Sequence, residues 1–524
     1  MSGGPPEGPL VKHSHVQPLI AVPLALAGAA LLALPPSAVA SVQRDSTILS
    51  AAVRLLSGEG SGFAPVDSLP APGQGVALLM GGSGVPWPGL TEAQWAFDHY
   101  SEANVANFGD YVPVRVFTPE GAQPAFGGLK SLPYDKSVAQ GVQNLEAQIA
   151  QQLQAGHPVA VGGVSQSGTV NSEVLRDIAT GKFVPDYSNV PAGVTPLQFL
   201  SLGNPSNPNG GFLERFNLPQ DPGGSITSIG LTFDGGAPTD TGIPVVSYCL
   251  EYDPNCDFPI YTQNVVSDLN AMAGWALVHP HYILRDPVGG SAVTDEQIAN
   301  ALQMPTSEGY NGGSTFYVMP WEGQLPLATV IQMIAGKPVA DLLEPDLKVL
   351  ANLGYGVDPA TGWSTLPADV ATPLRIFPTL DAAEFNTILD ALWSGAKQGF
   401  NAFVDDLLHP AVAAGGLSGL LDAADASSGP HSLVDVASTL SGLWSTVSSL
   451  GMPASDIINA LTVELPAHSL TVLMNSLQDG QSLGDALSLT SAFATGLESL
   501  AGGFAVIVGL QAVQQIQADL AQLF

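Results

Sequence analysis

A chain of 524 residues with 45% hydrophobic side chains can bury a sizeable core, and at about 150 residues per domain it holds two to four units. Its 14 Lys and Arg against 46 Asp and Glu give a formal charge of -32, which would repel a phosphate backbone and argues against nucleic acid as a partner. Gly (58) and Pro (43) are abundant but dispersed through too much apolar sequence for a collagen-like or disordered chain, so the composition describes a loop-rich globular protein.

At the N-terminus, Lys12, His13 and His15 precede an apolar run from Pro18 to Leu34, followed by Pro35-Pro36 and the small-residue stretch Ala38-Val39-Ala40. That is the order of a secretory signal. Pro23 and Pro35 interrupt a helix, and the run is short of the roughly 20 residues a membrane span needs. Residues 1–40 are therefore read first as a cleaved signal peptide and second as a retained signal anchor. Residues 41–74 carry a short helical pattern around Ile48 to Leu56 and then the stretch SGEGSGFAPVDSLPAPGQG, which reads as a linker.

A domain begins near Gly75. GVALLM (75–80) is a short apolar run ending at GGSG (81–84), as expected of a buried strand entering a glycine-rich turn. From Lys136 to Gln154, Val138, Val142, Leu145, Ile149 and Leu153 recur every three or four residues, which is one apolar helix stripe. Gly156 closes that helix and PVAVGG (158–163) follows as a second buried strand; PVVSYCLEY (244–252) is a third and runs directly into Asp253. Helix, short turn and strand in this order are the grammar of an α/β fold with a mainly parallel sheet. Beyond Tyr355 the chain turns to Ala, Leu, Ser and Asp at helical spacing, with Phe385, Ile388, Leu389, Leu392, Trp393, Phe400, Phe403, Val404 and Leu407 as one apolar set. Residues 357–524 are expected to be a mainly helical, acidic C-terminal segment, with no Lys or Arg after Lys397 and no chemistry legible in it.

One constellation carries chemistry. The turn Gly163-Val164-Ser165-Gln166-Ser167 follows an apolar strand and precedes the helix-like TVNSEVLRDI, the strand-turn-helix context of a nucleophile elbow. The elbow is so tight that its flanking residues must be small, and Ser167 stands where the usual pattern has glycine. A nucleophilic serine needs a base, an acid to orient that base and donors for the oxyanion. The acid candidates are Asp253, at a strand end, and Asp257; Asp253 is preferred for its position. Cys249 and Cys256, the only cysteines, flank Asp253 and in an exported protein can close a disulfide that stiffens its turn. VHPHY (278–282) offers His279 and His281 as the base, and the chain order nucleophile, acid, base is that of α/β-hydrolases. GGSG, through Ser83, and the amide of Gln166 are the candidate oxyanion donors. The nine histidines show no metal-ligand spacing, so the expected mechanism uses neither metal nor cofactor.

Seven segments in order carry a resemblance: GGSGVPWP (81–88), FTPEGAQPAFGGLKSLPYDKSVAQGVQNL (117–145), VGGVSQSG (161–168), LGNPSNPNGGFLERF (202–216), GAPTDTGIPVVSYCLEYDPNCDFPIY (236–261), LNAMAGWALVHPHY (269–282) and DLLEPDLKVLANLGYG (341–356). Together, over residues 75–356, they resemble the PE-PPE domain of mycobacterial proteins. The resemblance implies a cutinase-related serine α/β-hydrolase fold, exported to or held at the cell envelope. It implies action on acyl substrates, either as an esterase or as an acyltransferase building trehalose-based glycolipids. By position it matches the nucleophile to Ser165 and places the acid in EYDPNCDFP and the base in VHPHY. Cutinases set the acid four residues after the first cysteine of a disulfide, which favours Asp253, and the family's VHxTY pattern favours His279. The expectation is an exported serine hydrolase of acyl esters, with an acyltransferase or a non-catalytic envelope interaction protein as alternatives. Acyl-ester or glycolipid substrates would be its partners, with peripheral attachment to the envelope.

Overall fold

Apolar runs that end in glycine-rich turns become neighbouring strands of one sheet. The computed structural model describes residues 70–71, 73–89, 99–100, 111–123, 131–282, 293–409, 441–442, 444–445 and 451–521. The signal-like segment 1–40 and nearly all of the linker 41–74 lie outside the described residues. Strands β1 (Val76–Leu79), β2 (Val112–Arg115), β3 (Val159–Val164), β4 (Leu197–Leu202), β7 (Val245–Leu250), β8 (Leu302–Gln303) and β9 (Ser314–Met319) form a seven-stranded sheet, and β5 (Ser225–Ile226) pairs with β6 (Leu231–Thr232) in a separate ribbon. The sheet order is β2-β1-β3-β4-β7-β9-β8, parallel throughout except for β8 at the edge. Every residue of β1, β3, β4 and β7 is buried, which is why β1, β3 and β7 read as largely apolar runs without alternation. The chain has an α/β fold.

Helices cover both faces. The helices in chain order are α1 (Tyr134–Gln154), α2 (Gln166–Ala179), α3 (Phe212–Arg215), α4 (Val265–Leu277), α5 (Asp295–Ala299), α6 (Pro326–Ala335), α7 (Lys337–Asn352), α8 (Ala382–Leu408), α9 (Gly451–Asn459), α10 (Leu465–Gln478) and α11 (Leu483–Ala521). The stripe Val138, Val142, Leu145, Ile149 and Leu153 of α1 is buried against Val76, Leu78, Val159 and Val161 of the sheet. The opposite face packs Leu79, Leu200, Leu202, Tyr248 and Leu250 under Val278, Tyr282 and Ala351. Each fully buried aliphatic side chain contributes about 1.5–3 kcal/mol of transfer free energy, so these two layers fix the sheet between its helices.

The C-terminal helices dock on this body. Phe493, Leu489 and Leu497 of α11 and Val472 of α10 share a core with Phe212, Phe216, Phe233 and Phe258. Thr262 Oγ1 donates to Ala492 O, and Ser499 Oγ donates to Asp268. Glu464 accepts from Thr227 and Ser228, and His468 pairs with Asp221 at 2.5 Å. The run Ala454–Gln478 is long and apolar enough to cross a membrane by length and composition alone.

Helix α8 is helical as its spacing implies, but it leaves most of its large apolar residues outside. Of its apolar set, Ile388 is buried while Phe385, Leu389, Trp393, Phe400 and Leu407 are exposed. The face turned to the protein carries Gly395 and Gly399 instead: a Cβ at Gly395 would strike Asp346, and one at Gly399 the Leu342 carbonyl. Two helices approach most closely where one has no side chain, so the glycines take the contact and the large residues are left outside.

Candidate functional site

Strand order reverses around β1 and β3: β2 lies on one side of β1, and β3, β4 and β7 follow on the other. In parallel sheets the crevice beyond the carboxyl ends of the strands at such a switch point is where ligands bind. The loops leaving β1, β3, β4 and β7 meet there.

Ser165 sits between β3 and α2 with φ 58° and ψ -123°, one of three non-glycine residues with positive φ among the described residues. Such a conformation costs on the order of 1–3 kcal/mol and persists only where its surroundings enforce it. Three neighbours enforce it. A Cβ on Gly163 would stand 2.6 Å from the Ser167 carbonyl oxygen, and one on Gly168 would stand 3.0 Å from Asn204 Cα, so α2 packs too closely for side chains at either position. Ser167 fastens the turn: its hydroxyl accepts from the Val164 N–H at 2.7 Å and donates to the Val164 carbonyl at 2.9 Å. Serine at 167 is therefore a bonded clamp, beyond being small.

The β1 turn lies against this elbow. Gly84 N–H donates to Glu120 O and Val85 N–H to Gly82 O, folding GGSG. A Cβ on Gly82 would come within 3.1 Å of Ser165 Cβ. Ser83 Oγ donates to Gln166 Oε1 at 2.8 Å, and Gln166 Nε2 donates to Gly121 O, tying the β1 turn to the start of α2. As the first residue of α2, Gln166 has no intrahelical acceptor for its own N–H.

On the other side, β7 ends at Leu250 and a turn closed by the Asp253 N–H on the Leu250 carbonyl places Asp253, which is fully buried. Cys249 and Cys256 form a disulfide with a Cα separation of 5.7 Å, closing the loop that holds Asp253. Asp253 Oδ2 accepts from His279 Nδ1 at 2.9 Å and from the Tyr282 hydroxyl at 2.8 Å, while Oδ1 accepts from the Asn255 N–H at 3.0 Å. His279 and Tyr282 lie three residues apart on the 3-10 turn His279–Tyr282 that follows α4, so both point to one side. Tyr282 also accepts from the Leu250 N–H at 2.7 Å, which anchors it to the end of β7, and burial raises its phenol well above the ordinary range. Gly203, at φ 58°, closes the wall: a Cβ there would lie 2.9 Å from Asp253 Oδ2 and 3.0 Å from His279 Cε1. Asn255 Nδ2 lies over the His279 ring, 2.9 Å from Nε2 and 3.3 Å from Nδ1, and 3.3 Å from Ser165 Oγ, so the elbow serine and the histidine share one amide neighbour.

The competing residues are engaged elsewhere. Asp257 pairs with the buried Arg215 guanidinium at 3.1 Å and accepts from the Ser364 N–H; burial pushes its carboxyl up against the downward pull of Arg215. His281 is buried with its ring edge on Trp321, and burial pushes it down to about 4. Ser165, Ser83, Gln166, Asp253, His279 and the disulfide thus converge, while Asp257 and His281 brace the surrounding loops. The sequence reading missed Asn255, Tyr282 and Gly203. Tyr282 had a signal in its three-residue spacing from His279, whereas Asn255 and Gly203 lay in loops whose course no local pattern gives. Among the described residues no group of three His, Cys, Asp or Glu side chains is gathered closely enough to hold a metal.

A PE-PPE domain is recognised over residues 109–356. The PPE family protein PPE28 of Mycobacterium tuberculosis is 35% identical over 475 residues, 86% of this chain and 68% of that protein. From the same organism, a protein named Esterase PE16 is 35% identical over 65% of this chain and 59% of its own length, so the chain spans less than two thirds of that relative. A more distant relative there, named SL1278 acyltransferase Chp1, is 27% identical over 48% of this chain and 56% of its own. No solved structure matches. On the extent of the match to PPE28 and the recognised domain, the chain belongs to the PE-PPE domain family.

Proposed function

We propose that this chain is an exported serine hydrolase of acyl esters with the α/β-hydrolase arrangement. Ser165 Oγ attacks the ester carbonyl and His279 Nε2 takes its proton. Asp253, bound to Nδ1, keeps the histidine in the tautomer that leaves Nε2 free to accept, and stabilises the imidazolium. The backbone N–H groups of Ser83 and Gln166 hold the tetrahedral oxyanion. His279 returns the proton to the leaving alcohol, and water, deprotonated by the same histidine, releases the acid from Ser165. The observation that carries this reading is the strained Ser165 backbone at a strand-to-helix turn, facing a His279–Asp253 pair 2.9 Å apart. The relative named as an esterase supports the reaction class.

If an alcohol replaces water in the second half-reaction, the site becomes an acyltransferase, a reading favoured by the relative named as one. Export rests on the signal-like order of residues 1–40 and on the envelope location that the resemblance implies. A fluorophosphonate probe should label the purified full chain on Ser165, and Ser165→Ala should abolish the labelling. Unchanged labelling of that variant would sink the assignment. Incubation with an acyl-trehalose lipid separates the two reactions: free fatty acid marks hydrolysis, and a more acylated glycolipid marks transfer.

A further inference from the structure

Helix α8 meets α7 with the side that carries Gly395 and Gly399. A second, apolar stripe lies beside that contact. Phe385, Leu389, Trp393, Phe400, Val404 and Leu407 stand with Ala396 at spacings of three and four residues, all of them exposed, and run about 33 Å along one face at 1.5 Å per residue. Asn386, Asp390, Lys397 and Asn401 border the stripe, with the Lys397 ammonium 4.8 Å from the centre of the Trp393 ring. The face is thus edged by one positive and one negative charge, in a chain whose formal charge is -32.

The order of the stripe reads the same from both ends. Ala396 stands at its middle; Trp393 and Phe400 lie about 4.5–6 Å from it on either side, Leu389 and Val404 about 10–12 Å, and Phe385 and Leu407 about 16 Å. A second α8 running antiparallel about a two-fold axis through Ala396 therefore sets Trp393 against Phe400, Leu389 against Val404 and Phe385 against Leu407. The small Ala396 then meets its own counterpart where the two backbones come closest, and the contact is isologous. A lipid surface asks only for apolar width and makes no use of a mirrored order.

The area suits the same occupant. The six large side chains are 36–66% exposed. An aromatic side chain covers about 150–250 Å² and an aliphatic one somewhat less, so covering the exposed parts removes roughly 600 Å² from water on each copy. That is the upper limit of what a soluble monomer leaves open in one patch, and roughly 1,200 Å² for a pair is where stable interfaces begin.

We propose that α8 is a self-association surface, on which two copies of this chain pair antiparallel along the Phe385–Leu407 stripe about Ala396. The pairing is independent of the reaction assigned to Ser165.

Sedimentation equilibrium of the full chain in about 0.15 M salt, where repulsion between the acidic bodies is screened beyond roughly 8 Å, tests this. The wild type should show a monomer–dimer equilibrium with a micromolar dissociation constant, and Trp393→Glu and Phe400→Glu should each weaken it about tenfold or more. Both side chains are exposed, so both variants should melt with the wild type. Ala396→Cys places a thiol on the axis, and it is the one free thiol because Cys249 and Cys256 are bonded to each other. Mild oxidation should couple two copies through it, whereas Ser394→Cys, on the polar side of α8, should not couple. A wild type that stays monomeric at every concentration, or a dimer that both Glu variants leave unchanged, would overturn the pairing. So would a monomer that floats with zwitterionic vesicles only while Trp393 is present, or one in which the Ala396→Cys thiol resists alkylation because residues 410–440 of the same chain cover it. Should the Glu variants misfold, coupling at Ala396→Cys against Ser394→Cys decides.

Discussion

Replacing Tyr282 with phenylalanine removes one oxygen from a residue that is 1% exposed and leaves its ring packing intact. Besides a 3.3 Å contact with Cys256 Sγ, that oxygen makes two hydrogen bonds of different kinds to the protein's oxygen and nitrogen groups. It accepts from the Leu250 N–H at the end of β7 and donates to Asp253 Oδ2. Without it a buried backbone donor is orphaned, at about 1–3 kcal/mol, and a carboxylate loses one of three hydrogen bonds, worth about 1.5–3 kcal/mol when the acceptor is charged. The desolvation saved by burying phenylalanine offsets part of this, so the expected loss of stability is about 2–4 kcal/mol. Urea denaturation at unchanged m should show it as a lower midpoint. A double-mutant cycle with Asp253→Asn should give a coupling energy of about 1–2 kcal/mol, which isolates the hydroxyl–carboxylate bond from the Leu250 contribution. Because Asp253 keeps its bonds to His279 and to the Asn255 N–H, Ser165 labelling should fall about tenfold in Tyr282→Phe, well short of the roughly 10⁴-fold that a wrong histidine tautomer costs. A stability change below about 0.5 kcal/mol, together with zero coupling, would refute the claim that this hydroxyl ties the acid to the sheet.

Two further outcomes follow from the same geometry. Cys249→Ser with Cys256→Ser opens a loop of eight residues, which the chain-entropy relation values at about 2.5 kcal/mol; because Asp253 and Asn255 both lie in that loop, Ser165 labelling should weaken as well, and full labelling in a destabilised variant would show that the disulfide serves stability alone. Burial raises the carboxyls of Glu120 to about 8 and of Glu214 and Asp234 to about 7, so these groups bind protons in the folded state between about pH 4 and 8 that the unfolded chain has released. Stability should then be greatest near and below pH 4–5, as far as these groups decide it, and fall as pH rises through 7 to 8. Melting at constant ionic strength from pH 5 to 8 checks the sign, and a midpoint that rises over this range would contradict it.

How much was legible in the sequence follows from how local each cause is. Strands β1, β3 and β7 announce themselves as apolar runs that end in glycine or at Asp253, because strands buried on both faces need no alternation. The α1 stripe is legible for the same local reason, since five apolar residues at helical spacing have one face to bury. Strands β2, β4 and β9 were not read: VPVR is broken by Pro113, LQFLSL sits beside the turn-rich LGNPSNPNGG, and STFYVM follows a glycine pair. In α8 the periodicity gave the helix and left its orientation open. Spacing records that large apolar residues share a face, but Gly395 and Gly399 permit the closer approach and so decide which face meets α7.

By itself, the sequence determined the α/β alternation, the glycine and serine turn at 163–168, and the cysteine pair around Asp253, because each depends on residues within a few positions of one another. It preferred Asp253 to Asp257 for its place at a strand end, and the resemblance favoured Asp253 and His279, but the partners of these residues were not legible in it. Only the tertiary structure supplies those partners, because they come from distant segments: Arg215 arrives from α3 to pair with Asp257, and Tyr282 and His279 arrive from beyond α4 to bond Asp253. The amide of Asn255 beside Ser165 and His279 belongs to the same class of fact, a contact across 90 residues of chain that no pattern along the sequence encodes.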